Sequence, residues 1–260
     1  MRIGLVIYGC NNEYFSQFID GVKKYCAVHN IDLLVLITGA PNWQADDFGY
    51  HDWYLTKFVN EMNLDGAIVL TGTICHYVSN EEIRNVFKSF KPLPLVSVNV
   101  KIPGVATVMS DPDKGFTNLV THLVEKHKLK KFLFLTSETR SFEIRRRLQI
   151  FKSVLKKHSL SIPSRNILHG SYTFYSAENA IRNYMNEYGT DFEAVVCITD
   201  EMAYGIISGL EGKGISVPED VIVTGFDDTA IAKSSYPTLT SVNQQVFKQG
   251  ELSAEVLWKQ

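Results

Sequence analysis

Short apolar runs alternate along the chain with longer stretches in which apolar residues recur every three or four positions. The runs are RIGLVIY (2–8), DLLVLIT (32–38), GAIVLT (66–71), PLVSVN (94–99), KFLFLT (131–136), AVVCIT (194–199) and VIVTGF (221–226). Each is apolar almost throughout rather than at alternate positions, as in a strand covered on both faces of a parallel sheet. Between them, YFSQFIDGVKKYCAVHN (14–30) places Phe15, Phe18, Ile19, Val22 and Cys26 on one helical stripe, with Asp20, Lys23 and Lys24 on the other face. The repeated strand–helix–strand order predicts a doubly wound α/β architecture with right-handed crossovers. The first four strands make one repeat. A helix over 115–127 leads into a second repeat that begins at KKFLFLT. The expected fold is two Rossmann-like lobes, each a parallel sheet flanked by helices.

In open α/β folds ligands bind just beyond the carboxyl ends of the strands, and here those positions are polar. Asn11, Asn12, Glu13, Tyr14 and Phe15 follow the first strand, Thr71 and Thr73 the third, and Asn99 the fourth. Thr136, Ser137 and Glu138 follow the fifth, ahead of the arginine-rich RSFEIRRRLQIF. Thr199, Asp200 and Glu201 follow the sixth, and Asp227 and Asp228 end the seventh. Hydroxyls, amides, carboxylates, an arginine and aromatic rings suit a polyhydroxylated ligand, which needs hydrogen bonds at its edge and flat apolar surfaces on its faces.

Composition removes several classes. The chain has 260 residues, 45% hydrophobic and 21% charged, with a net charge of −2, so it carries no general field for nucleic acid. Cys10, Cys26, Cys75 and Cys197 are scattered without a C-x-x-C pair, so neither a zinc site nor a disulfide framework is indicated, and buried thiols in a reducing compartment are expected. No apolar run approaches the ~18 residues of a membrane helix. MRIGLVIYG runs into CNNEYF without a small-residue cleavage site, so a cytoplasmic location is expected.

Catalytic and cofactor motifs are missing from the sequence: no G-x-S-x-G, P-loop or H-E-x-x-H is present, and no metal or cofactor is predicted. EGKGIS (211–216) lacks P-loop spacing and reads as a helix end. His122 and His127, five apart, do not share a helix face as metal ligands would. Asp227 and Asp228 in an extended chain point opposite ways, which weakens a paired acid–base reading. Of the three adjacent arginines, Arg145 and Arg146 read as a solvated helix face, whereas Arg147 lies on a neighbouring face and can turn toward the strand ends.

The stretch ISVPEDVIVTGFDDTAIAKSSYPTLTSVNQ closely resembles the signature near the end of the LacI/GalR effector domain and of related periplasmic sugar-binding proteins. GCNNEYFSQFIDGV, NLDGAIVL and SDPDKGFTNLVTHLVEKHKLKKFLFL resemble further segments of that domain in the same order, so the likeness covers essentially the whole chain. The resemblance implies two lobes, residues 1–125 plus 244–260 and residues 126–243, joined by a three-strand hinge and closed by a small molecule, a sugar or related polyol. It implies that Phe15 stacks on the ligand ring with Tyr14 beside it; Asn12 and Thr71, polar residues after the first and third strands, are expected to bind the ligand with them. Arg147 and Asp227 would grip ligand hydroxyls, Gln244 would lie near the last crossing between lobes, and Asp200 would follow the sixth strand. Thr199 stands where the family has an asparagine, and its hydroxyl cannot make the paired bonds of an amide. A homodimer is implied. Repressors of this family carry a helix-turn-helix before the first strand. None precedes it in this sequence, so no direct DNA binding by this segment is expected, and an output module beyond residue 260 is. The favoured reading is a ligand sensor rather than an enzyme; a transport or scavenging protein, or an enzyme on the same scaffold, are the alternatives.

Overall fold

The computed structural model describes every residue except 11, 40–53, 75–78, 91, 112 and 139–140, so Asn11 and Cys75 lie outside the described residues. The chain forms two compact units, Met1–Ser110 with Gln245–Gln260, and Asp111–Glu138 with Phe142–Gln244.

In the first unit, strands β1 (Arg2–Ile7), β2 (Asp32–Ile37), β3 (Gly66–Val69), β4 (Leu95–Val98) and β5 (Ala106–Val108) form one parallel sheet in the order β2-β1-β3-β4-β5. Helices α1 (Glu13–Val28), α2 (Thr71–Ile74) and α3 (Asn80–Ser89) lie between strands, with a 3₁₀ segment over Tyr54–Glu61. In the second unit, β6 (Phe132–Ser137), β7 (Ile167–Gly170), β8 (Ala194–Cys197), β9 (Ile222–Phe226) and β10 (Thr240–Val242) form another parallel sheet, ordered β10-β9-β8-β6-β7. Its helices are α4 (Asp113–Glu125), α5 (Phe142–Lys157), α6 (Phe174–Tyr188), α7 (Asp200–Glu211) and α8 (Ala230–Ser234). Counted within each unit, both sheets have the order 2-1-3-4-5. Such a sheet reverses direction between its first and third strands and leaves a crevice beyond their carboxyl ends.

The two Rossmann-like lobes read from the sequence are both present. Central strands β3, β4, β6 and β8 are buried at every position. The strands outside the seven runs, β5, β7 and β10, are sheet edges and only partly covered, so ATV, ILHG and TSV need no continuous apolar run. Helix α4 packs against α5, and its Phe116 meets Phe134 and Phe226 edge-on. It therefore belongs to the second unit, whereas the sequence division carries the first lobe to residue 125.

The final helix, α9 (Val246–Trp258), completes the first unit by packing on α1. The approach is close: a methyl added at Gly250 would lie 2.3 Å from the carbonyl oxygen of Phe18. Gly250→Ala is expected to push the helices apart and cost about 2–3 kcal/mol, read as a lower urea midpoint with an unchanged slope.

Candidate functional site

The second unit gathers polar groups at the carboxyl ends of β6, β8 and β9. Leu135 pairs with Cys197, and the Val196–Thr224 pair sets Cys197 opposite Gly225, so two residues further on Ser137, Thr199 and Asp227 fall at one level. Arg147 reaches this level from α5. Three residues after Ile144 and four before Phe151, both buried, it shares their inward face and is itself only 5% exposed. Its Nη1 donates to the carbonyl oxygen of Ile198 at 2.9 Å, and its guanidinium carbon lies 3.5 Å from the centroid of the Phe226 ring. Phe226 thus forms a platform that fixes the guanidinium plane through a cation–π contact. Arg147 Nε and Ser137 Oγ are buried and meet no hydrogen-bond partner among the described residues. Leaving such a donor unpaired costs about 1–3 kcal/mol, so it marks where an outside acceptor is expected. Arg145 and Arg146 are exposed, and Arg146 pairs with Asp113 at 2.9 Å, as expected of a solvated face.

Asp227 lies within electrostatic reach of this arginine. Asp227 and Asp228 have φ of 113° and 55°, so the chain is not extended here, contrary to the sequence expectation; β9 ends in a left-handed turn instead. The Asp227 backbone N–H donates to Val242 at 3.0 Å, and its Oδ1 accepts from Gln244 Nε2 at 2.5 Å. Asp228 serves the loop instead. Its backbone N–H donates to Ser241 Oγ at 3.0 Å and its Oδ2 accepts from Asn243 at 2.7 Å, which pins the turn in place. Burial pushes the Asp227 carboxyl up to about 7 against the opposing pull of Arg147 and Gln244. Burial also raises Glu143, one turn before Arg147, with Arg147 again opposing.

These shifts have one sign for stability. The folded Asp227 holds a proton that the unfolded chain has already lost, so its contribution is fully present below the unfolded value near 4 and is lost as pH rises through about 7. The loss is at most about 4 kcal/mol, and less for a half-buried side chain. Asp227→Asn is expected to flatten the fall in unfolding free energy between pH 4.5 and 7.5, with the remaining slope left to Glu143 and Asp200. Parallel profiles for the two proteins would contradict this.

Asp200 is nearly fully buried, and its oxygens are taken by protein groups. Oδ2 accepts from the Thr229 backbone N–H at 2.8 Å and hydroxyl at 2.9 Å, and Oδ1 accepts from Ser241 Oγ at 2.5 Å. Burial raises its carboxyl, with those bonds opposing. Gly225 permits the approach, since a methyl there would lie 2.2 Å from Asp200 Oδ1. Asp200 is therefore a latch between the loop after β9 and strand β10. Thr199 caps α7, its hydroxyl accepting from Met202 N at 3.2 Å.

In the first unit, Val6 pairs with Val69 and Val69 with Ser97, so two residues on Tyr8, Thr71 and Asn99 share a level at the strand ends. Thr71 is buried, with its hydroxyl 2.8 Å from Ser97 Oγ and 3.0 Å from the Val69 carbonyl. Asn99, at φ 64°, accepts from Ser110 N through Oδ1 at 3.1 Å, and its buried Nδ2 has no partner among the described residues. Asn12 caps α1 by accepting from Phe15 N at 3.2 Å. Phe15, expected to stack on a ligand, is a core residue at 3% exposure; Tyr8 and Tyr14 meet it edge-on at 5.7 Å and keep partial exposure.

Further participants stand outside the ligand residues expected from the sequence. Ser137 and Asn99 are visible there as strand-end polar residues, and Glu143 as the i, i+4 partner of Arg147. The Phe226 platform has no sequence signal, because a buried aromatic at a strand end reads as core. Cys26 and Cys197 are buried as expected, whereas Cys10 is exposed. Among the described residues no cluster of three or more metal-ligating side chains occurs, and no helix is long and apolar enough to cross a membrane.

Residues 120–260 match the family model of the periplasmic binding protein-like domain. The chain belongs to that family, and transcriptional regulators align with nearly all of it. It is 26% identical over 264 residues to an HTH-type transcriptional repressor PurR of Vibrio vulnificus, covering 98% of this chain and 73% of the repressor. It is 26% identical over 258 residues to catabolite control protein A of Staphylococcus xylosus, covering 99% of this chain and 74% of that protein. A LacI family transcriptional regulator from Enterococcus faecium, solved with bound ribose, shares the fold with a TM-score of 0.81 at 21% identity, over 100% of this chain and 90% of that one.

Proposed function

We propose that this chain is the small-molecule-sensing domain of a LacI-type transcriptional regulator, working inside the cell as a homodimer, with a sugar or related polyol as effector. The observation that carries the reading is the buried, unpartnered Nε of Arg147, held on Phe226 and opposed by the carboxylate of Asp227. A donor and an acceptor within electrostatic reach of each other at the strand ends suit the paired hydroxyls of a sugar. Ser137 and Gln244 extend the same polar edge in the second unit. The first unit holds Tyr8, Tyr14 and Asn99. An effector that binds one state of the domain better than another shifts the balance toward it, and that difference in affinity is the signal. Two carboxylates, Asp227 and Glu143, stand against one guanidinium, so neutral polyols fit this site better than sugar phosphates or sugar acids.

A thermal-shift screen tests the reading with neutral pentoses, hexoses and disaccharides, sugar phosphates, sugar acids and purines. A ligand at a hundred times its Kd adds about 2.7 kcal/mol, which raises the midpoint by about 5–10 °C. A selective rise with a neutral sugar is expected. A well-folded protein that no compound shifts would overturn the reading.

A further inference from the structure

The sequence spacing sets His122 and His127 apart, because residues five apart do not share a helix face. The structure brings them together. Helix α4 ends at Glu125, and the chain folds back so that the N–H groups of Lys126 and His127 point to the carbonyl of His122, at 2.9 and 3.4 Å. The two imidazoles meet with Nε2 atoms 3.2 Å apart, ring centroids 4.9 Å apart and planes 73° from each other. Both side chains are exposed.

We propose that His122 and His127 form a two-imidazole chelate for a borderline divalent transition ion, of the Zn²⁺, Ni²⁺ or Cu²⁺ class. Two nitrogens 3.2 Å apart, each at the usual metal–nitrogen distance of about 2.0–2.1 Å, subtend an angle of about 100° at the ion. That angle suits a tetrahedral ion and is within reach of a square or octahedral one. The donor set contains no carboxylate, which selects against Mg²⁺ and Ca²⁺, and imidazole is the ligand shared by zinc, copper and nickel. No third imidazole, thiol or carboxylate among the described residues completes a cluster, so the remaining coordination positions face water or an external ligand. The backbone turn that closes α4 presets the pair, so ion binding reorganises only side chains.

The test uses the untagged full chain on an immobilised nickel–iminodiacetate column, followed by titration calorimetry with Cu²⁺ and with Zn²⁺ at pH 7.5. The wild-type protein is expected to be retained and to bind one ion per chain. His122→Gln and His127→Gln should each elute at least tenfold earlier in imidazole and lose the calorimetric site, while their thermal midpoints without metal match the wild type because both side chains are exposed. Retention and stoichiometry unchanged in both variants would overturn the proposal and leave the pair as a hydrogen bond between neutral rings. So would calorimetry that detects no binding of either ion to the wild type.

Discussion

Arg147→Ala is expected to abolish effector binding, weakening it at least 100-fold, while the chain stays folded. A charge-assisted bond to a ligand oxygen is worth about 1.5–3 kcal/mol, and the truncation also frees the ring of Phe226 and the carbonyl of Ile198. It leaves Asp227 and Glu143 without their cation, so the carboxyls shift further toward the protonated form and become weaker acceptors at neutral pH. Arg147→Lys should recover little, since an ammonium cannot reproduce the fork or its stacking. Arg145→Ala is the matched control: it removes an exposed charge two residues away and should change affinity by less than about twofold. Isothermal titration with the sugar selected by thermal shift checks all three. Equal losses in the Arg145 and Arg147 variants would show that net charge, not the buried guanidinium, governs binding.

The second large effect is structural and lies one strand away. Asp200→Ala removes the acceptor for Thr229 N, Thr229 Oγ1 and Ser241 Oγ together. Stranding buried donors in this way costs about 3 kcal/mol. Asp200→Asn should cost about half as much, because its oxygen still accepts from Thr229 and the Ser241 hydroxyl can turn to accept from the new amide. The latch holds the turn that carries Asp227, so the alanine variant should also bind effector more weakly, although Asp200 presents no free oxygen to a ligand. Chemical denaturation measures the first effect and titration the second. A stability within about 0.5 kcal/mol of wild type would show that the latch is idle.

These two residues also show where sequence reasoning succeeds and stops. Arg147 is separable from its two neighbours because helical phase is a local property: Ile144 and Phe151 mark the inward face, and Arg147 falls on it. Asp200 reads as a ligand group in the sequence because its partners lie 29 and 41 residues away, on a loop and an edge strand, and no local pattern announces them. Asn12 and Thr199 illustrate a second ambiguity. A short polar residue between a strand and a helix is as well suited to capping the helix as to meeting a ligand, and the backbone N–H groups of Phe15 and Met202 claim both. The buried central strands declare themselves by continuous apolar runs. The edge strands β5 and β7 do not, since half-covered backbone places weaker demands on side chains. His122 and His127 fall in the same gap, because helical spacing rules lapse where the helix ends.

The most direct test of the proposed sensing site is a crystal structure of this chain with the neutral sugar that stabilises it best. Ligand oxygens are expected within about 3.2 Å of Arg147 Nε and of an Asp227 carboxylate oxygen, with Phe226 still beneath the guanidinium. A ligand bound elsewhere, with Arg147 Nε unengaged and Asp227 bonded only to Gln244, would contradict it.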